Sequence, residues 1–442
     1  MSQSVSTRPP LLPSLSGIRF WAAFQVTAYH AIIVFYVTAR DGSAEAPRFA
    51  AWCGEGVELF DRYWFVRGIV QGSCIVMSFF FTLSGFVMSY TCLTADNRAN
   101  FSLRNFVAGR TGRLYPVHLL GLLIYLPFFL LAVNTHHLST AYTWGIVAST
   151  LTMTQSWNPD MTAAWNPPAW SLSCELLFYV LFPFLLPRFD GWSRRRLFIT
   201  FVSLWLVSLV APLAYLALDP DGIGFGNWLS DSTWINVVKH NPLVRLPEIL
   251  GGMMVARLFV YRRMAERAGE QQPFNGGWFS VPCAAALVVI LMFAEYFPYP
   301  LLHGGLLLPV MAGLIYGLAI GGGPIDWLFS RRWAVFLGDS CYALYILHST
   351  IVALMTVLVI YVLDVEKRAD PPGLLAYVIQ CTIISILIGI LAHKLYEEPL
   401  SKRVRRWLGH KSSPRAAAVP TPPSPLEEGV PAPAINLSSP AP

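Results

Sequence analysis

Four groups of residues have types and spacings suited to chemistry. Arg19 and His30 stand with ten residues between them inside the apolar stretch SLSGIRFWAAFQVTAYHAIIVFYVT. At about 100° and 1.5 Å per residue, that spacing makes roughly three helical turns, so both side chains leave one face about 16 Å apart. The spacing predicts that they look into one cavity at two depths, a guanidinium suited to holding an anion and an imidazole suited to taking a proton. Arg110 and Arg113 stand three apart, beside Arg104 and Pro116. On one helix face they form a fork of guanidinium groups that suits phosphate. Ser171 and Glu175 lie four apart and share a face at the start of WSLSCELLFYVLF, flanked by Trp170, Phe178 and Tyr179. A carboxylate there needs a partner, and His30 is a candidate. His348 lies deep in SCYALYILHSTIVALM.

Each group also has a plainer reading. His30 and His348 can be core histidines bonded to a neighbouring helix, the arginines can be membrane anchors, and Glu175 can sit in a wet vestibule at a helix end. Packing is the favoured reading of Ser84 and Gly85 in SFFFTLSGFVMSY, where small residues let helices approach. Glu397 and Glu398 in YEEPLSKRVRRW read most simply as a local ion-pair cluster. Against the plain readings stands cost: a charge at the centre of a membrane helix is worth at least ~2.5 kcal/mol.

The elements that must position these residues are membrane helices. Of 442 residues, 55% are hydrophobic and 13% charged, whereas soluble domains carry about 25% charged residues. The fold class expected is all-α, a polytopic bundle of about ten transmembrane helices. Runs long enough to cross fall near 18–38, 70–92, 114–133, 170–187, 197–217, 243–261, 278–297, 301–320, 334–363 and 373–395. An additional run, 142–157, is short and rich in Thr and Ser, and reads as re-entrant or interfacial. With ten spans and both termini cytoplasmic, 23 Lys and Arg fall inside and 8 outside, whereas an eleventh span would invert the later basic loops. Residues 1–11 and 411–442, the latter rich in Pro and Ala, are expected to be disordered, flanking a membrane domain over 12–410. The opening lacks the basic segment and short apolar core of a cleaved signal, so the first span is expected to stay as an anchor. Seven scattered cysteines without CxxC or CxxxH spacing indicate neither a disulfide framework nor a metal site.

In this order the segments resemble the polytopic acyltransferase family 3, bacterial integral-membrane enzymes that O-acylate carbohydrates and some antibiotics. The resemblance covers roughly residues 12–405. It rests on the Arg19 and His30 spacing, FFFTLSGF, the RxxR of Arg110 and Arg113, WSLSCELLFY and SCYALYILH. It implies a multi-pass enzyme of the bacterial cytoplasmic membrane, with His30 as catalytic base and Glu175 lining the site. It also implies that Arg19, Arg110 and Arg113 help bind acyl-CoA. Further wall residues expected are Ser84, Trp170, Ser171, Ser173, Tyr179, Tyr345 and His348. The chain departs in its SGIRFWAA opening, where RGIAA is commoner. It departs too in that the appended soluble esterase-like domain some relatives use for acceptor handling is not expected here.

The chemistry expected is direct transfer of an acyl group, acetyl by preference, from cytoplasmic acyl-CoA to a hydroxyl of a carbohydrate presented from the outer side. No permanently bound cofactor, metal or nucleic acid is called for. The pantetheine arm would thread from Arg19 toward His30, and Glu175 would fix the imidazole's tautomer. Oxyanion donors would be Ser171, Ser173 or backbone groups, and an acyl-enzyme on Ser84 or Cys174 is the less favoured route. The acceptor is a surface polysaccharide, a lipid-linked sugar, or a secreted small glycoside such as a macrolide. A function of another class, a proton-coupled carrier, also uses buried Arg, His and Glu, but no inverted repeat is visible.

Overall fold

The computed structural model describes residues 12–41, 47–226, 230–270, 276–362 and 374–409. The two ends expected to be disordered, 1–11 and 411–442, lie outside the described residues. Helices account for nearly all of the regular structure: α1 (Pro13–Asp41), α2 (Pro47–Asp61), α3 (Trp64–Gly72), α4 (Ile75–Thr91), α5 (Leu103–Thr135), α6 (Thr140–Leu151), α7 (Trp170–Arg188), α8 (Arg194–Ser208), α9 (Val210–Leu218) and α10 (Thr233–His240). There follow α11 (Pro242–Arg267), α12 (Gly276–Met292), α13 (Tyr299–His303), α14 (Leu308–Ile320), α15 (Pro324–Phe329), α16 (Arg332–Asp339), α17 (Cys341–Val357), α18 (Leu374–Ala392) and α19 (Glu398–Leu408). Among the described residues the only β-pairing is an isolated bridge between Leu93 and Ala99.

Each of the ten expected spans falls on a helix, but not all are simple. Among the described residues, seven helices are long and apolar enough to cross a bilayer, and α3 with α4, bent by 41°, makes an eighth if the pair is one span. The two others explain the shortfall from ten. Helix α12 has only 17 residues. Helix α11 has 26 residues, enough for about 39 Å at 1.5 Å each, but carries Arg245, Glu248 and Arg257 in its interior. Those charges are buried rather than facing lipid.

Helices α4 and α11 pack against each other at the centre, because glycines strip the contact of side chains. A Cβ on Gly85 would meet the backbone carbonyl of Ile249, and one on Gly252 would meet that of Thr82. The packing reading of Gly85 therefore holds. Around this pair, α8 and α14 flank α11, while α1 packs on α16, α17 and α18.

Helix α6 is 12 residues long, about 18 Å, too short to cross a ~30 Å hydrocarbon core. The chain after it turns inward. Met153, Gln155, Ser156, Asn166 and Pro168 are all buried, and Asn166 takes a left-handed conformation at φ 52°. Gln155 Nε2 donates to the Ala169 carbonyl at 2.8 Å, and Ser156 Oγ to that of Trp170 at 2.9 Å. These bonds satisfy irregular backbone inside the bundle, the condition for such backbone to exist at membrane depth. As a result α7 begins within the protein rather than at its surface.

Candidate active site

Two cavities lie end to end along the bundle. The first, of about 90 Å³, is basic. Its walls include Arg19 from α1, Ser84 from α4, Arg110 and Arg113 from α5, Ser171, Glu175 and Tyr179 from α7, and Tyr342 from α17. Tyr179 Oη donates to Glu175 Oε2 at 2.5 Å, and Ser84 Oγ to Oε1 at 3.4 Å. The guanidinium of Arg110 lies over the rings of Phe106 and Tyr179, 5.4 and 5.6 Å from their centroids. Among the described residues, none of the three arginines has a carboxylate within 4 Å. Three cations around one carboxylate leave the cavity net positive, as an anion site requires.

The second cavity is about tenfold larger, about 920 Å³, and holds the histidines. It is lined by His30, His240, His303 and His348, with Trp170, Lys239 and Tyr299, and reaches the loops around Asp160 and Asp231. His30 Nδ1 lies 2.8 Å from the Val26 carbonyl, and His348 Nδ1 lies 2.6 Å from that of Tyr345. A carbonyl can only accept, so both neutral rings carry the proton on Nδ1 and present Nε2 as an acceptor. The ring centroids are 4.7 Å apart, edge to face. His348 Nε2 is buried with no protein partner. Met77 and Tyr345 border both cavities, with Tyr345 held by its Oη donating to the Pro168 carbonyl at 2.9 Å.

This geometry corrects three expectations. Arg19 and His30 do leave one continuous helix, but into two cavities separated by Met77 and Tyr345 rather than into one. Glu175 does not orient His30: its carboxylate is engaged by Tyr179 and Ser84 among the arginines, and the group facing His30 is His348. Ser173 lines neither cavity, because its hydroxyl donates to Gln155 Oε1 at 3.2 Å and accepts from the Ser156 backbone N–H at 3.3 Å. Ser171 and Ser84 line the basic cavity, Trp170 and His348 line the histidine cavity, and Tyr345 lines both. Glu397 and Glu398 pair locally, with His393 at 2.9 Å, and with Lys394 at 3.6 Å and Lys402 at 2.6 Å, respectively.

The sequence reading missed the cluster behind the histidine cavity. Arg245 and Glu248 form a fully buried ion pair at 2.9 Å. Ser78 Oγ donates to Glu248 at 2.8 Å, and Arg245 donates to Ser78 and to the His303 carbonyl. The signal was available: Arg and Glu three apart within the apolar run PLVRLPEILGGMM carry the same cost argument applied to Arg19 and His30.

A family model described as an acyltransferase domain matches residues 12–394, nearly the whole described chain. The chain belongs to acyltransferase family 3. Two curated members of wider acyltransferase function are similar to it. One, named Acyltransferase MdmB, from Streptomyces mycarofaciens, is 34% identical over 176 residues, covering 39% of this chain and 38% of that protein. The other, Peptidoglycan O-acetyltransferase OatA from Listeria monocytogenes serovar 1/2a (strain ATCC BAA-679 / EGD-e), is 24% identical over 359 residues, 75% of this chain and 52% of that protein. The matched stretches thus span about two fifths and one half of those relatives' lengths. No solved structure matches. As a family 3 acyltransferase this chain is a multi-pass membrane protein, and its two cavities share walls from α1, α4, α7 and α17.

Proposed function

We propose that the protein transfers an acyl group from acyl-CoA, entering at the basic cavity, to a hydroxyl of a carbohydrate entering the histidine cavity. The observation that carries this reading is the meeting of the two cavities at Met77 and Tyr345, with unpaired arginines on one side and free imidazole acceptors on the other. Phosphates of the coenzyme bind the forked guanidinium groups of Arg110 and Arg113, and Arg19 neutralises charge further in. The slender pantetheine arm then passes between Met77 and Tyr345, so that the thioester reaches His30 while the nucleotide stays put. The distribution of Lys and Arg supports a cytoplasmic basic end, on the side where acyl-CoA is made.

His30 Nε2 accepts the proton of the acceptor hydroxyl as its oxygen attacks the thioester carbonyl. The new C–O bond forms, the C–S bond breaks, and the proton is passed on to the departing thiolate. The imidazolium formed in between needs an acceptor. The Val26 carbonyl, which takes the Nδ1–H, supplies it, the part expected of Glu175, and the neutral His348 ring packs edge to face against His30. Glu175 instead tunes the basic cavity, holding Tyr179 and offsetting one of three positive charges.

Membership of an acyltransferase family favours this over the carrier. The name of OatA supports a sugar hydroxyl as acceptor, and acetyl as the group moved. A macrolide-like glycoside would enter the same cavity. Incubating membranes that contain the protein with radiolabelled acetyl-CoA tests the reading. A labelled, base-labile O-ester on a carbohydrate is expected. Label that stays on CoA in the presence of total membrane glycans would overturn it.

A further inference from the structure

The histidine cavity holds a buried cation that acyl transfer does not use. Lys239, on α10, is 8% exposed. Its Nζ donates to the Ser230 carbonyl at 2.6 Å and lies 5.7 Å from the centroid of the Tyr299 ring. Among the described residues no carboxylate comes within 4 Å of it. A buried ammonium without a counter-ion is costly, so a fold that keeps one has a use for the charge. Burial pulls the Lys239 amine down to about 8, which still leaves it mostly protonated at neutral pH. Of the carboxylates of the same cavity, Asp231 offsets part of the burial cost from beyond 4 Å, but it and Asp160 are both exposed, and Asp231 already accepts from Asn236 Nδ2 at 2.7 Å, so the ammonium keeps no paired counter-ion among the described residues.

The neighbours of Lys239 point the same way. His240 has a buried Nδ1 with no partner. Burial, with Lys239 and Arg245 adding repulsion, holds its imidazole well below the usual range, so it offers a neutral ring. His303 Nδ1 lies 3.3 Å from Arg245 Nη1, and a guanidinium only donates. The neutral His303 ring therefore carries its proton on Nε2, a donor. The charge of Arg245 itself is taken up by Glu248, so it stiffens His303 without filling the site. Flat rings bound the space: Trp170 is 4.6 Å from His240, and Tyr299 is 5.7 Å from His303, centroid to centroid.

We propose that Lys239, His240 and His303 form a subsite for an anionic group, a carboxylate or a phosphate, on the acceptor, beside the Trp170 and Tyr299 rings. The acceptor is then an acidic sugar or a sugar phosphate rather than a neutral glycoside. This rests on the reading of the histidine cavity as the acceptor's. The donor's phosphates are not an alternative occupant, because the unpaired arginines that suit them line the other cavity, beyond Met77 and Tyr345.

The test is protection of Lys239 from an amine-acetylating reagent, read by peptide mass spectrometry on the full chain in lipid nanodiscs. The half-exposed Lys394 and the exposed Lys402 serve as internal references. Glucose 1-phosphate or glucuronate, in tenfold excess over its dissociation constant, should slow Lys239 labelling by about tenfold and leave the references alone. Glucose should not protect. The stronger of the two anions tells phosphate from carboxylate. Protection by neither anion, or equal protection by glucose, overturns the subsite. The readout needs no turnover, so it stands or falls apart from acyl transfer. A second arm separates the two further: the radiolabelled product should bind an anion exchanger. A neutral labelled product would sink the subsite and leave acyl transfer standing, whereas protection without any labelled product would do the reverse.

Discussion

The two cavities share four helices, α1, α4, α7 and α17, yet they do opposite things with charge. In the basic cavity three guanidinium groups outnumber one carboxylate, and that carboxylate is held by Tyr179 and Ser84. In the histidine cavity His30 and His348 each spend Nδ1 on a backbone carbonyl of their own helix and keep Nε2 open. One end holds an anion and the other moves a proton. A single helix contributes to both because ten intervening residues separate Arg19 from His30 by about three turns while keeping them on one face. The division lies at Met77 and Tyr345, so substitutions on the two sides should separate binding from chemistry.

The largest separation is expected at His30. His30→Ala should cut kcat by about 10³-fold, with the protein still inserted and its donor affinity unchanged. Comparable loss of donor binding would merge the two cavities into one functional unit. Next comes the converse. Replacing both Arg110 and Arg113 by Ala should raise the donor KM by roughly 10- to 100-fold and change kcat far less, as expected when about 1.5–3 kcal/mol of charge-assisted bonding is lost in all. An unchanged KM would return these residues to membrane anchoring.

A smaller effect sharpens the histidine side. His348→Gln keeps a hydrogen-bond acceptor but removes an imidazole, and should lower kcat by about tenfold at constant KM. Added imidazole should restore part of the rate in His348→Ala, which a purely structural histidine would not allow. The smallest effect concerns the scaffold common to both cavities. Gly85→Ala drives a methyl into the Ile249 carbonyl and should cost about 1–3 kcal/mol of stability, seen as a lower melting temperature with donor KM unaffected.

Much of this was legible in the sequence, because period and cost are local. The ten apolar runs, the shared face of Arg19 and His30, and the RxxR fork all follow from helix geometry and the penalty on buried charge. What could not be read was depth. Glu175 sits near the start of its span, which suggested the end where His30 lies. The preceding loop instead dives into the bundle through Gln155, Asn166 and Pro168, so α7 starts inside and Glu175 reaches the arginines. The Arg245 and Glu248 pair was missed for another reason. Both side chains lower the hydropathy of their helix, as a water-facing pair would, and nothing local tells that the two are buried against each other. His303 and His240 lie at helix ends, where periodicity has nothing to say.

The central claim, that donor and acceptor enter from opposite ends and meet at His30, is tested most directly by sidedness. Sealed vesicles of known orientation would receive radiolabelled acetyl-CoA on one face at a time, with acceptor present on both. The account predicts labelled ester only when the donor is supplied at the face bearing Arg110 and Arg113. Equal labelling from either face, or labelling only from the histidine face, would contradict it.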